Sequence, residues 1–145
     1  MIFEFDDVRG TTIPAFDPET DILNFSSSYS AANFRIRFSE LGLVLLRGSE
    51  ETVLSGVSPS AVAESGISNF TFENSSVLLV GDSAPDNFSG STGNDYAFLS
   101  QGGADAADLG SGNDVFDLGN SLSADDRLAG GSGNDTLFLS GTMAT

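Results

Sequence analysis

Six aspartates recur along the second half of the chain at near-constant spacing: Asp86, Asp95, Asp105, Asp114, Asp126 and Asp135. The intervals are 9, 10, 9, 12 and 9 residues. The cleanest unit around them is Gly130-Gly131-Ser132-Gly133-Asn134-Asp135-Thr136-Leu137-Phe138. It follows the nine-residue pattern G-G-x-G-x-D-x-U-x, in which U is a large apolar residue. Such turns offer oxygen ligands. Asp supplies a carboxylate, and glycine lets backbone carbonyls crowd one point by adopting φ > 0. A hard cation such as Ca²⁺ takes 6–8 oxygens at roughly 2.3–2.6 Å. The chain has no Cys and no His, which argues against zinc and copper, metals that favour sulfur and nitrogen.

The elements that must position these carboxylates are short strands. Two residues after each Asp stand Phe88, Ala97, Ala107, Phe116, Leu128 and Leu137, all apolar. Leu99, Leu109, Leu118 and Leu139 follow at the next position on the same strand face. Each repeat therefore predicts a turn and a short strand whose U residue points inward. Successive turns fall on opposite edges of a flattened spiral, so each turn stacks on the one two repeats away. The expected pairs are Asp86 with Asp105, Asp95 with Asp114, Asp105 with Asp126, and Asp114 with Asp135. A Ca²⁺ between stacked turns would share these carboxylates and the carbonyls of Gly93, Gly103, Gly110, Gly112, Gly131 and Gly133. The plainer reading is that the aspartates cap turns and hold no metal. So thin a core does not offset the entropy of ordering many glycines, and stacked carboxylates repel. Metal binding and folding of this half are expected to be one event.

Composition agrees with a folded cation binder. The chain has 145 residues, 39% of them hydrophobic, and a net charge of −16. That charge would repel nucleic acid and anionic membranes. Ten Asp, no Glu and 12 of the 17 Gly lie in residues 81–145, whereas residues 1–80 carry seven Glu and four Asp. Asp without Glu among Gly, Ser and Asn is turn chemistry. There is no apolar run long enough to span a membrane and no N-terminal signal peptide. Export would need a route without a cleaved leader. Met1 reads as a natural start.

Residues 1–80 read as a β-rich region capping the roll of residues 81–145. Phe34 to Phe38 alternates apolar and polar, as do Phe3-Glu4-Phe5 and Phe70-Thr71-Phe72. Leu43 to Leu46 and Val77 to Val80 are unbroken apolar runs, expected as strands buried on both faces. Ser58, Pro59 and Gly66 mark the cap, first residue and stop of a short helix. Asp17 and Asp21 are read as an Asp-Pro turn, with another Ca²⁺ site as the alternative. Asp82, Asp108, Asp117 and Asp125 are expected to be solvated or auxiliary ligands. Arg35 and Arg37 are expected on the polar face of a strand.

The units GSTGNDYAF (90–98), LGSGNDVFD (109–117) and GGSGNDTLF (130–138) resemble the RTX, or hemolysin-type calcium-binding, repeat family over residues 81–141. The resemblance implies a parallel β-roll with Ca²⁺ in the turns. It also implies type I export through an uncleaved C-terminal signal, with folding outside the cell. The units ending at Asp86, Asp105 and Asp126 depart from the glycine pattern. The segment Phe16-Asp17-Pro18-Glu19-Thr20-Asp21-Ile22-Leu23 is similar to turns in β-rich segments accompanying such repeats.

Catalysis finds little support. A Ser nucleophile would lack a His or Lys base, and neither a P-loop lysine nor an H-E-x-x-H motif is present. The expectation is an all-β, non-enzymatic, calcium-binding protein, secreted or held at a bacterial cell surface. It would assemble end to end with copies of itself into a filament, layer or matrix. The alternative is a calcium-dependent folding or secretion module, or a fragment of a larger adhesin or enzyme.

Overall fold

Turn chemistry and side-chain alternation decide where the strands begin and end. The computed structural model describes residues 1–65 and 69–140. In chain order the first half contains β1 (Ile2–Glu4), the one-turn helix α1 (Phe5–Val8), β2 (Thr12–Ile13), β3 (Ile22–Phe25), β4 (Arg35–Ser39), β5 (Gly42–Arg47), β6 (Glu50–Ser55), α2 (Pro59–Ser65) and β7 (Phe70–Phe72). β4, β5 and β6 form an antiparallel meander, and β2 adds to β6 in parallel. β1, β3 and β7 form a separate parallel sheet. The predicted alternation holds in β4, where Ile36 is buried between exposed Arg35 and Arg37. Leu43, Val44 and Leu45 are all buried, as an unbroken apolar run requires. Helix α2 starts at Pro59, and the Ala61 amide donates to Ser58 Oγ at 3.3 Å. Its expected stop, Gly66, lies outside the described residues.

The second half continues with β8 (Leu78–Val80), β9 (Asn87–Ser91), β10 (Tyr96–Phe98), β11 (Ala106–Gly110), β12 (Val115–Gly119), β13 (Arg127–Ala129) and β14 (Thr136–Leu139). Successive strands alternate between two parallel sheets, ordered β14-β12-β10-β8 and β13-β11-β9. The register stacks Leu79, Ala97, Phe116 and Leu137 in one column, and Phe88, Ala107 and Leu128 in the other. These are the positions two after each Asp, joined by Leu79 of β8. The stacked parallel sheets read as a β-solenoid of about seven turns. Among the described residues no helix is long and apolar enough to cross a membrane.

The four-stranded sheet is buried on both faces. Leu79, Ala97, Leu99, Phe116 and Leu118 face inward and pack with Ala107 and Leu109 of the opposite sheet. Leu78, Val80, Tyr96, Phe98 and Val115 face outward and join a larger core with Phe5, Phe25, Phe34 and Ile36 of the first half. The first half therefore lies along the roll's flank. Arg35 fastens this contact. Its Nε and Nη2 donate to Asp117 Oδ2 at 3.2 and 3.0 Å, and its guanidinium lies 3.7 Å from the centre of the Phe138 ring. Tyr96 Oη donates to the same Asp117 oxygen at 2.7 Å and accepts the Ile36 amide. Asp117, expected to be solvated or an auxiliary ligand, is not solvated but a buried strut between the halves, because its place on the outer face of β12 is covered by β4.

Burial fades along the roll. Leu99, Leu109 and Leu118 are 0% exposed, whereas Leu137 and Leu139 in β14 are 45% and 46% exposed. Core truncations should therefore separate by position. Leu109→Ala is expected to destabilise by about 2–5 kcal/mol, and Leu139→Ala by no more than about 1 kcal/mol, nearer the surface range. Urea unfolding followed by circular dichroism in one buffer measures both; equal losses would contradict a core that thins toward β14.

Candidate metal centre

The six aspartates fall into two columns, and the predicted pairs are the observed ones. The backbone amides of the first four anchors each donate to Oδ1 of the anchor one coil further on. The rungs are Asp86 to Asp105 at 3.0 Å, Asp95 to Asp114 at 2.8 Å, Asp105 to Asp126 at 2.9 Å and Asp114 to Asp135 at 3.1 Å. Val77 stands at the anchor position one coil before Asp95 and donates to its Oδ1 at 2.8 Å. A second, exposed rung runs beside the first. The Asn113 amide donates to Asn94 Oδ1, and the Asn134 amide to Asn113 Oδ1.

Where a turn lacks its glycines, a polar side chain shapes it. Asp82 Oδ1 accepts the Ala84 amide, Ser91 Oγ accepts the Gly93 amide, and Ser123 Oγ accepts the Asp125 amide. These are short Asx and Ser turns; Asp82 and Ser123 lie in the departing units of Asp86 and Asp126, and Ser91 shapes the turn of Asp95. Gly103, Gly110, Gly112, Gly131 and Gly133 have positive φ, as expected. Gly93 does not; it is needed for space, since a Cβ there would come within 2.9 Å of the Ser76 backbone. A Cβ on Gly112 would collide with the Gly93 carbonyl oxygen, and one on Gly133 with that of Gly112. Carbonyl oxygens thus point from each turn onto the next. The Gly110 carbonyl is already held by the Ser132 amide at 2.9 Å.

The remaining carboxylate oxygens set the columns' electrostatics. Oδ2 of Asp86, Asp95 and Asp126 each accepts an amide within its own turn, from Asp82, Ser91 and Ser123. Asp114 is fully buried, and its Oδ2 has no hydrogen-bond partner. Burial, with the charges of Asp95 and Asp135 added, pushes the Asp114 carboxyl above its ordinary range. Burial does the same to Asp105, reinforced by Asp126 and Asp82. Asp86 is pushed up to about 6 by burial and by Asp105. In Asp126 the amides of Asp105 and Ser123 outweigh burial and hold its carboxyl low.

Asp17 and Asp21 repeat this turn in the first half. Asp17 Oδ1 accepts the Glu19 amide, Asp21 Oδ2 accepts the Asp17 amide, and strand β3 follows. The register of β1 on β3 sets residue 1 opposite residue 21, and the Met1 amino group donates to Asp21 Oδ1. Both Asp21 oxygens are therefore engaged. The signal in the sequence was the spacing Asp17 to Asp21, the same as Asp82 to Asp86. Asp108 and Asp125 are exposed and Asp82 caps its own turn.

Among the described residues no three Asp or Glu side chains converge on one point. A cation here would draw on two stacked carboxylates and on turn carbonyls. The donor set fits a hard cation: Asp114 Oδ1 and the Gly93 carbonyl converge in front of the Gly112 Cα, and Asp114 Oδ2 lacks a donor. Comparison with family models, curated proteins and solved structures finds nothing that matches this chain.

The raised carboxyls imply a pH dependence in chelator. A group whose folded pKa is raised contributes stability below its unfolded value that is lost as pH rises through the folded value. For Asp86 that window runs from 3.8 to about 6. Thermal melts in chelator are expected to show the melting temperature falling between pH 4 and pH 7. A flat or rising profile would show that burying these carboxylates, with the repulsion added to it, does not govern the roll's stability.

Proposed function

We propose that this chain is an extracellular calcium-binding structural protein whose roll is consolidated by Ca²⁺ and which associates with its own copies through the open end of the roll. The observation that carries the calcium reading is Asp114 Oδ2, a buried carboxylate oxygen without a donor in a column where Asp95, Asp114 and Asp135 stack with no cationic side chain bonded to them. An unpaired buried charge is unfavourable by several kcal/mol unless a proton or a cation neutralises it. Ca²⁺ suits the donors because it accepts irregular shells of carboxylate and carbonyl oxygen, whereas Mg²⁺ demands a near-octahedral set.

In this reading Asp95, Asp114 and Asp135, with the carbonyls of Gly93, Gly112 and Gly133, hold the ions of one column. Asp86, Asp105 and Asp126, with the Gly103 carbonyl, hold those of the other. The ion neutralises the stacked charge and cross-links turns that the thin core holds weakly. Dependence on Ca²⁺ is greatest in the last coil, where Asp135 is exposed and the leucines are half-exposed. A fold consolidated by millimolar Ca²⁺ suits a protein that works outside the cell. The reading assigns the chain no catalytic role. The open terminal coil also suits a second reading, a calcium-dependent folding module within a longer adhesin or enzyme. A chain that binds Ca²⁺ but stays at 15.0 kDa would favour it.

Extracellular calcium modules bind with Kd of about 10⁻⁴–10⁻³ M, so about 10 mM Ca²⁺ should stabilise the fold by about 1.4–2.7 kcal/mol per site. Asp114→Asn separates metal from packing, because its amide oxygen still accepts the Asp95 amide. The variant is expected to melt higher than the parent in chelator, where a repulsive charge is gone, and lower in Ca²⁺, where a ligand is gone. Parallel melts of both proteins read this crossing; a Ca²⁺-insensitive parent would overturn the calcium reading.

A further inference from the structure

Among the described residues nothing pairs with the outer edge of strand β14. Exposed strand edges are ordinarily guarded by charged side chains, proline or a covering element. Thr136-Leu137-Phe138-Leu139 carries no charge and no proline, and it is the last strand of its sheet. The neighbouring edge strand β13 carries a charge within it, Arg127, whereas the charge beside β14, Asp135, lies before its first residue. The amides of Thr136 and Ser140 turn toward β12, donating to Asp114 O at 2.8 Å and Gly119 O at 2.6 Å. Strand alternation then leaves the amides and carbonyls of Leu137 and Leu139 on the free side. Their side chains are the half-exposed end of the inner layer.

We propose that this edge pairs with β14 of a second copy in an isologous, antiparallel contact centred on Phe138. An uncharged apolar strand fits neither a polyanion nor a polycation. It fits another uncharged apolar strand, and this chain supplies one. The two-fold geometry is self-complementary. Leu137 exchanges its free backbone hydrogen bonds with Leu139 of the second copy, and Leu139 with Leu137, while the four leucines close the inner layer across the junction. Phe138 meets its own counterpart in a non-hydrogen-bonded pair. The contact makes the self-association of the proposed function a closed pair at this end. It rests on that assembly reading but not on calcium. At −16 per chain the approach needs counter-ions, which Ca²⁺ or high salt provides.

Analytical ultracentrifugation in about 10 mM Ca²⁺ and, separately, in chelator with about 1 M NaCl reads the mass. The expected species has twice 15.0 kDa in at least one buffer. The double variant L137K/L139K, whose positions are too exposed to hold the fold, should stay monomeric with unchanged circular dichroism. Because the chain has no Cys, Phe138→Cys reports the symmetry. A non-hydrogen-bonded antiparallel pair sets Cα atoms about 4.5 Å apart, within disulfide range, so oxidation should give a covalent dimer. A parent that stays at 15.0 kDa in both buffers, assembly that survives L137K/L139K, or no Phe138→Cys cross-link would each overturn the proposal. So would a chain ending at Ser140 that dimerises while the full chain does not, since its own last residues would then occupy the edge. Loss of Ca²⁺-induced stabilisation with an intact dimer in salt would sink the calcium reading and leave this one standing.

Discussion

The structure depends on one repeated contact, a backbone amide of one coil donating to an aspartate Oδ1 of the next. A parallel solenoid has no hairpins to hold its coils in register, and its strands here are only three to five residues long. The rungs from Val77 to Asp95, Asp114 and Asp135, and from Asp86 to Asp105 and Asp126, fix the register at the turn. They do so with charged acceptors, which make stronger hydrogen bonds than neutral ones. The same choice stacks negative charges in two columns. The contact that aligns the coils is therefore also the one that strains them. The carboxyls of Asp86, Asp105 and Asp114 are raised first by burial and then by the neighbouring charges.

Two devices limit the strain without metal. Own-turn amides satisfy the second oxygen of Asp86, Asp95 and Asp126. The first half covers the outer face of the four-stranded sheet and adds aromatic core, with Phe25 stacked 4.2 Å from Phe72 and Phe5 edge-on to Phe34. Support is thus strongest around β8, β10 and β12 and weakest around β13 and β14. A coil with less apolar burial relies more on its turns.

The Arg35, Asp117 and Tyr96 cluster ties these parts together. Asp117 sits on β12 between the stacked turns and the first half, and Arg35 reaches from Asp117 to Phe138 on β14. The flank of the molecule and its last coil share that single guanidinium. Movement of the terminal coil would therefore be felt at the contact between the halves.

Much of this was readable without coordinates. The interval of about nine between aspartates and the apolar residue two places on determined the turns, the strand positions and the rung pairs, because a turn residue and a strand period constrain the chain locally. The units of Asp86 and Asp126 looked weak for want of glycines, yet Asp82 and Ser123 shape their turns with side chains, a substitution visible only once their amide donors are located. Asp117 and Arg35 carry no local signal of partnership, since they are 82 residues apart. That the first half flanks the roll, that among the described residues Asp114 keeps a buried oxygen without a donor, and that β14 is the last strand of its sheet were decided by tertiary structure. Each depends on which faces meet in space, and alternation along a strand says that a face is apolar without saying what covers it.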